Sequence, residues 1–185
     1  MPRINKIELE EAGEELSAIY KQIADERGGL AEIHKVLSLR PDIVRAHFEF
    51  YKTLMLSDRT SLSRKERELI AITVSLHNGA AYCAAHHGKA LETHGGDPIN
   101  LSYHRPISSG SGIDLREQAL LEYSRKLTFE PTSVDDEDII KLREVGFDDR
   151  QILEIVMLIS YFCCANRLVL ALDVELEHNY EKMCR

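Results

Sequence analysis

The chain has 185 residues, of which 44% are hydrophobic and 29% are charged, proportions typical of a globular protein. Its formal net charge of −8 argues against partners such as nucleic acids and anionic membranes, both of which attract basic surfaces. The four cysteines lack the spacing of a disulfide framework, and the N-terminal stretch is too charged for a signal peptide. We therefore expect reduced thiols and a cytoplasmic location.

The hydrophobic pattern predicts helices throughout and no strand. Apolar residues at helical spacing predict a first helix over residues 11–25 and a short second helix over residues 30–37. Pro41 is well placed to begin a third helix that continues over residues 42–56. In this third helix we expect the buried stripe to consist of Ile43, Ala46, Phe50 and Leu54.

The middle of the chain predicts a pair of antiparallel helices. A capping box that begins at Ser63 opens a helix over residues 63–77. The Asn78-Gly79 break separates it from a second helix over residues 81–93. Because the connection is short, we expect the two helices to pack against each other as a helical hairpin.

The second half of the chain begins with a segment rich in glycine, proline and serine, residues 95–112. We interpret it as a surface loop, with a lid near the site as the less favoured alternative. The longest apolar stretch, residues 155–165, is shorter than a membrane span, so we expect no transmembrane segment. Three further helices are predicted: 114–127, 133–145 capped by Ser133, and a long apolar helix from Asp148 or Asp149 to Leu172.

Three residues of the hairpin have the pattern of an activated thiol. Cys83 lies in the first turn of its helix, where unpaired N–H groups favour an anion, and it precedes His87 by one turn on the same face. Glu68 lies about 15 Å from the hairpin bend along its helix and His87 about 12 Å along the returning one, so the two are nearly level. The spacing predicts Cys83 as a nucleophilic thiolate, His87 as its base and Glu68 as the group that orients the imidazole.

The same residues also have a purely structural interpretation. Cys83 could be a small buried hydrophobe, Glu68 a surface carboxylate and His87 a partly buried polar residue. His86 points about 100° away from His87, so it either lines the pocket or lies at the surface. Neighbouring histidines rarely converge on one ion, and the sequence has no phosphate loop or dinucleotide fingerprint, so we expect neither a metal nor a cofactor.

The run E-L-I-A-I-T-V-S-L-H-N-G-A-A-Y-C-A-A-H-H-G over residues 68–88 resembles the core of the alkylhydroperoxidase D / carboxymuconolactone decarboxylase family. The likeness is strongest to its uncharacterised peroxidase-related branch, and it extends from Leu37-x-x-Arg-Pro to Val174-Glu-Leu-Glu. The resemblance implies an all-α, orthogonal helical bundle that assembles into homo-oligomers. It also implies a single domain over residues 1–185 with a core motif over residues 62–95.

The family's peroxidases carry Glu, eleven residues, Cys, two residues, Cys, three residues, His. Glu68, Cys83 and His87 fall on motif positions, whereas Ala80 falls on the first cysteine and Tyr82 on a histidine of the founding peroxidase. The resemblance implies that the second cysteine attacks the peroxide and that the first resolves the sulfenic acid as a disulfide. This chain keeps the attacking position and lacks the local resolving thiol. Turnover would then need an external thiol or one of three other cysteines, Cys163, Cys164 and Cys184.

Three functions follow from these observations. The favoured one is an antioxidant protein with peroxiredoxin-type activity, in which Cys83 reduces a small hydroperoxide at the expense of an external thiol. The second, implied by the decarboxylases of the family, is an acid–base enzyme for a small carboxylated or lactone substrate, with His87 as the acid or base. The third is a helical scaffold that kept the fold after losing the redox pair.

Overall fold

Helices account for the regular secondary structure of the residues that the computed structural model describes, 2–96 and 113–184. The predicted all-α, orthogonal helical bundle is confirmed. The greater part of the predicted loop, residues 97–112, lies outside the described residues. Eight α-helices are present in the described part: α1 Glu14–Arg27, α2 Glu32–Val36, α3 Pro41–Tyr51, α4 Arg64–His77, α5 Ala81–Thr93, α6 Leu115–Phe129, α7 Asp136–Glu144 and α8 Asp149–Leu172.

The predicted hairpin is formed by α4 and α5. The Ser63 hydroxyl accepts a hydrogen bond from the Glu66 N–H at 3.2 Å, and the Glu66 carboxylate accepts one from the Ser63 N–H at 2.7 Å, so the capping box fixes the start of α4. Gly79 has a φ of +71°, a left-handed conformation that glycine adopts without a steric penalty. The chain therefore reverses within three residues, and α5 returns along α4.

The helix α4 is the centre of the molecule. Every residue from Glu66 to Ser75 is buried, because α5, α6 and α8 all pack against this helix. A helix that is covered on all sides can hold a charged residue only if that residue finds partners inside the protein. Glu68 is such a residue, and it has partners.

The long apolar helix α8 also packs against α4. By length and composition it could span a membrane. Here its apolar character has a local explanation, because its buried face is part of the core. That face consists of Ile152, Ile155, Leu158, Ile159, Tyr161, Phe162, Ala165, Asn166 and Val169.

The prediction of the buried stripe in α3 was wrong. Val44 and Phe48 are buried, whereas Ile43 and Phe50 are 42% and 39% exposed. This helix has apolar residues on two faces, and packing against α1 selects the face that spacing alone could not identify. A π-helical turn over Lys52–Leu56 then shifts the register, so that Leu54 is buried as predicted.

The predicted cap of α7 was also wrong. Ser133 belongs to a short 3₁₀ turn, Pro131–Ser133, and Asp135 caps the helix instead. Its Oδ1 accepts hydrogen bonds from the N–H groups of Glu137 and Asp138 at 3.1 and 3.3 Å. A carboxylate is at least as good a cap as a hydroxyl. Asp135 has the extended backbone of a capping residue, so the helix begins directly after Asp135.

The segment after α8 turns back over α5. Asp173, with a φ of 56°, ends α8 in the left-handed conformation. The following residues lead to a 3₁₀ turn, Tyr180–Met183, which packs on α5. The C-terminal segment, residues 174–184, therefore lies beside the histidines of the sequence motif.

Candidate active site

Glu68 and His87 form a buried pair. Glu68 Oε2 lies 2.6 Å from His87 Nδ1, and its other carboxylate oxygen accepts a hydrogen bond from Arg64 Nε at 2.6 Å. The Glu68 side chain has no exposed area. The predicted pairing of two residues on neighbouring helices is confirmed, and the alternative that Glu68 is a surface carboxylate is wrong.

Glu68 remains ionised despite its burial. Burial alone would raise the pKa of Glu68, but its interactions with His87 and Arg64 bring it below its usual value. An ionised carboxylate only accepts, so His87 Nδ1 donates to it. In a neutral ring this leaves Nε2 as the basic nitrogen, which is the arrangement that a general base requires.

Cys83 is the third residue of α5, as predicted, but its predicted thiolate state is wrong. The residue is only 4% exposed. Burial raises the pKa of Cys83 to about 12, although a hydrogen bond from Asn166 and the charge of Arg27 act in the opposite direction. Loss of hydration outweighs the favourable position at the helix start. Cys83 is therefore a thiol at neutral pH in this conformation.

Asn166 ties α8 to the hairpin beside this thiol. The residue is fully buried, and its Nδ2 donates to Ser75 Oγ at 3.1 Å. Its Oδ1 accepts from Asn78 Nδ2 at 3.0 Å. A buried amide with both ends bonded is held rigidly, so Asn166 fixes the polar surroundings of Cys83.

Cys83 and His87 line the same cavity, which has a volume of about 30 Å³. This is room for one or two water molecules. The sequence motif identified Cys83 and His87, and it left His86 open between pocket and surface. The lining residues are Arg27, Ile33, His34, His47, Tyr51, Tyr82, Cys83, His86, His87, Tyr161, Phe162 and Ala165.

The polar residues that the sequence analysis missed come from four different helices. Arg27 ends α1, His34 and His47 lie on α2 and α3, and Tyr161 lies on α8. No short spacing joins them, because the fold alone brings them together. The sequence offered one signal for them: His34 and His47 are single histidines in short helices whose other residues form part of the core.

His86 is buried and neutral. Arg27 Nη2 lies 3.3 Å from His86 Nδ1, and since arginine only donates, this nitrogen is the acceptor. The proton is then on Nε2, which donates to Glu177 Oε2 at 2.8 Å. Burial lowers the pKa of His86, which favours the neutral ring that these bonds need.

The C-terminal segment closes one side of the site through Glu177. The carboxylate of Glu177 also accepts hydrogen bonds from the Tyr82 hydroxyl at 2.7 Å and from the Glu32 N–H at 2.5 Å. Burial alone would raise the pKa of Glu177, but the bonds from His86, Glu32 and Tyr82 lower it to about 2. The segment is thus anchored by an ionised carboxylate with three donors.

The four cysteines are free and differ in their distance from this site. Cys184 Sγ lies 3.5 Å from His86 Nδ1, and it lines a crevice of about 10 Å³ together with Arg64 and His87. Cys164 is exposed on α8, and the neighbouring Cys163 is partly buried. Cys184 is therefore the second thiol that borders the motif histidines.

Comparison with known proteins places the motif in a family. The model of the carboxymuconolactone decarboxylase family matches residues 41–102, a range that includes Glu68, Cys83 and His87. The uncharacterized protein YdfG of Bacillus subtilis (strain 168) is 30% identical over 115 residues, which are 62% of this chain and 78% of that protein. The range that the family model matches thus contains the whole helical hairpin.

Two solved structures have the same fold over nearly the whole chain. An uncharacterized peroxidase-related protein with an alkylhydroperoxidase AhpD core, from Ralstonia eutropha JMP134, is 25% identical with a TM-score of 0.84. The match covers 100% of this chain and 96% of that one. An uncharacterized peroxidase-related protein from Silicibacter sp. TM1040 is 27% identical with a TM-score of 0.82, and the match covers 94% and 90% of the two chains.

Proposed function

The chain belongs to the carboxymuconolactone decarboxylase family, in its alkylhydroperoxidase D-like, peroxidase-related branch, and from this we propose that it is a peroxiredoxin-type oxidoreductase that reduces hydroperoxides at Cys83. The observation that carries the proposal is the buried Glu68–His87 pair, with its hydrogen bond of 2.6 Å, beside the cavity that Cys83 shares with His87. A nucleophile, a base and a group that orients the base are the components of thiol catalysis.

The reaction begins from the neutral thiol. When a hydroperoxide enters the cavity, His87 Nε2 takes the proton of Cys83, and the sulfur attacks one oxygen of the O–O bond. That bond breaks, and the leaving oxygen receives the proton from His87. The products are a sulfenic acid on Cys83 and an alcohol, or water when the substrate is hydrogen peroxide. Because the proton is both taken and returned, the raised pKa of Cys83 protects the resting thiol without blocking turnover.

Reduction of the sulfenic acid requires two further thiols. The first attacks the Cys83 sulfur, releases the oxygen as water and forms a disulfide with it. The second displaces Cys83 from this disulfide and restores the thiol. Position 80 holds alanine, so a disulfide within the motif is impossible. We propose that an external thiol supplies at least the final reduction.

The second candidate function is acid–base catalysis on a small carboxylated substrate. The observation that favours it is that Cys83 is protonated at neutral pH while the Glu68–His87 pair is already arranged for proton transfer. In that case His87 is the reacting base and Cys83 is dispensable. Exchange of Cys83 for serine separates the two functions, because it abolishes peroxide reduction and spares acid–base chemistry.

The decisive experiment exposes the purified protein to hydrogen peroxide and to an organic hydroperoxide in the presence of a sulfenic acid trap. We expect the adduct on Cys83 by mass spectrometry, strong loss of it in His87→Ala, and no change in the control variant Cys164→Ser. Adducts that form equally fast on Cys163 or Cys164 would contradict the peroxidase proposal. Absence of any thiol-dependent turnover would instead support the redox-inactive scaffold.

A further inference from the structure

The cavity beside Cys83 contains polar atoms that neither the proposed reaction nor the packing uses. Among the described residues, three buried side-chain nitrogens have no hydrogen-bond partner: Arg27 Nη1, His34 Nδ1 and His47 Nδ1. All three residues line this one cavity. Buried polar atoms without a partner are rare in folded proteins, and a group of them around one cavity indicates a ligand.

Arg27 carries a charge with no direct counter-ion in the described part of the chain. The carboxylate of Glu177 is reached only through His86, which accepts from Arg27 and donates to Glu177. The other buried carboxylate, Glu68, is bonded to His87 and Arg64. A shielded guanidinium without a facing carboxylate favours the entry of an anion.

The other walls of the cavity add no negative charge. Burial lowers the pKa of His34 far below its usual value and that of His47 to about 4, so both rings are neutral at pH 7. Burial raises the pKa values of Tyr51 and Tyr161, which keeps these phenols neutral as well. Among the described residues that line the cavity, none is a carboxylate. Among the described lining residues, Arg27 is thus the one permanent charge.

His47 supplies a second donor when an anion is present. Its Nε2 lies 3.4 Å from the hydroxyl of Tyr161, which can donate to it. The ring proton is then on Nδ1, the nitrogen that has no partner in the protein. Arg27 and His47 together offer two N–H groups to one small acceptor.

We propose that this cavity is a binding site for a small oxyanion of two or three non-hydrogen atoms, held by Arg27 and His47. The volume of about 30 Å³ favours a small anion such as formate or nitrite over a bulky carboxylate. Charge-assisted hydrogen bonds from a guanidinium to an oxyanion are the strong kind, and they gain strength in a dry site. The site does not depend on peroxide reduction, since none of its groups has to react.

The test measures binding of sodium formate, with benzoate as the oversized control, to the Cys83→Ser protein, in which thiol chemistry is absent. We expect saturable formate binding by calorimetry or by a titration followed with labelled formate, and weak or no binding of benzoate. Arg27→Gln should weaken formate binding by about tenfold or more, the loss expected for one charge-assisted bond. The exposed arginine variant Arg167→Gln serves as the control and should bind formate as the parent does.

Folding is controlled separately, because Arg27 is part of a buried network. Arg27→Lys keeps the charge, and His47→Phe removes the second donor while it keeps the aromatic volume. Both variants should retain the helical circular dichroism of the parent. His47→Phe should bind formate with a lower affinity than the parent. Formate binding that is equal in Arg27→Gln and in the parent, or binding that never saturates, would overturn the proposal. If the protein binds formate but forms no sulfenic acid with peroxide, the oxyanion site stands and only the peroxidase function is rejected.

Discussion

The Nδ1 atom of His87 donates a hydrogen bond of 2.6 Å to Oε2 of Glu68, a residue 19 positions earlier in the chain. The bond joins α4 to α5 at the level of the cavity, and Arg64 holds the second oxygen of the same carboxylate. The imidazole is further enclosed by the ring of Phe162, with 4.7 Å between the ring centroids. Its orientation is therefore determined by one ionised partner and one aromatic wall.

The first prediction concerns this bond. Exchange of Glu68 for glutamine removes the charge that favours a proton on Nδ1, and the amide can turn its N–H₂ group toward the ring. The imidazole then presents the wrong nitrogen to Cys83, and the rate of peroxide-dependent sulfenic acid formation should fall by about a hundredfold or more. The rate is measured by stopped-flow trapping over a range of pH.

Glu154→Gln is the matched control for this change. Glu154 accepts hydrogen bonds from the N–H groups of Ser61 and Leu62 at 2.9 and 3.2 Å, away from the cavity. Its loss should affect stability slightly and the rate not at all. Equal rates for Glu68→Gln and the parent protein would show that His87 does not act as the base.

The sequence predicted the parts of this arrangement that depend on residues close together in the chain, and it did not predict the parts that depend on distant residues. The hairpin follows from local signals, the capping box at Ser63 and the break at Asn78-Gly79, and helix geometry then places Glu68 level with His87. The protonation state of Cys83 was predicted incorrectly, because it depends on burial among side chains of other helices, α8 among them, rather than on its own helix.

The cavity walls could not be predicted for a related reason. Arg27, His34 and His47 belong to three helices whose mutual packing is determined by apolar faces, and the face of α3 was itself predicted incorrectly. Residues that lie on three separate helices have no characteristic spacing in the sequence. The sequence motif therefore identified only functional groups within the single hairpin of α4 and α5.

The second prediction is that alkylation of Cys83 rises with pH about a midpoint above that of a free thiol, whereas an activated thiol has its midpoint below it. Burial raises the pKa from an ordinary value of 9.0 to about 12, so in the folded protein the thiolate fraction at pH 8 is lower by about a thousandfold. A variant that keeps Cys83 as its single cysteine should show no plateau of reactivity below pH 10 or so. The same chain unfolded in urea should titrate near the ordinary value, and a folded midpoint below that value would contradict the burial argument.

The third prediction concerns Glu177 and acid. The folded state lowers the pKa of Glu177 from 4.5 to about 2, so ionised Glu177 stabilises the folded protein above pH 4.5. This contribution decreases as the pH falls toward 2, and it amounts to about 3 kcal/mol at most. The difference in unfolding free energy between the parent and Glu177→Gln should therefore be largest near neutral pH and should disappear near pH 2.

Urea unfolding at a series of pH values provides this measurement. Glu181→Gln, on the same segment and exposed, is the control and should follow the parent at every pH. A constant difference between Glu177→Gln and the parent across the whole range would mean that the carboxylate charge is not what anchors the segment. The same variant should also raise the rate at which a small alkylating agent reaches Cys83, because Glu177 holds the segment over His86 and Tyr82.

The last prediction identifies the thiol that first reduces the sulfenic acid. Cys83 shares a cavity with His86 and His87, and Cys184 shares a crevice with the same two histidines. Burial raises the pKa of Cys184 to about 11, so it is protected in the resting protein. Cys184 follows a short 3₁₀ turn that contains no buried residue, and local opening of such a turn costs little free energy.

Treatment with one equivalent of hydrogen peroxide should therefore give a disulfide between Cys83 and Cys184. One water molecule is released when the sulfenic acid forms and a second when Cys184 displaces its oxygen, and a non-reduced digest should contain the linked peptides. Cys184→Ser should accumulate the sulfenic acid instead and depend on the external thiol for both reduction steps, whereas Cys163→Ser should behave as the parent does. If the parent and Cys184→Ser form mixed disulfides with the external thiol at the same rate, Cys184 has no part in turnover. The cysteine that position 80 lacks would then be replaced entirely by thiols from outside the chain.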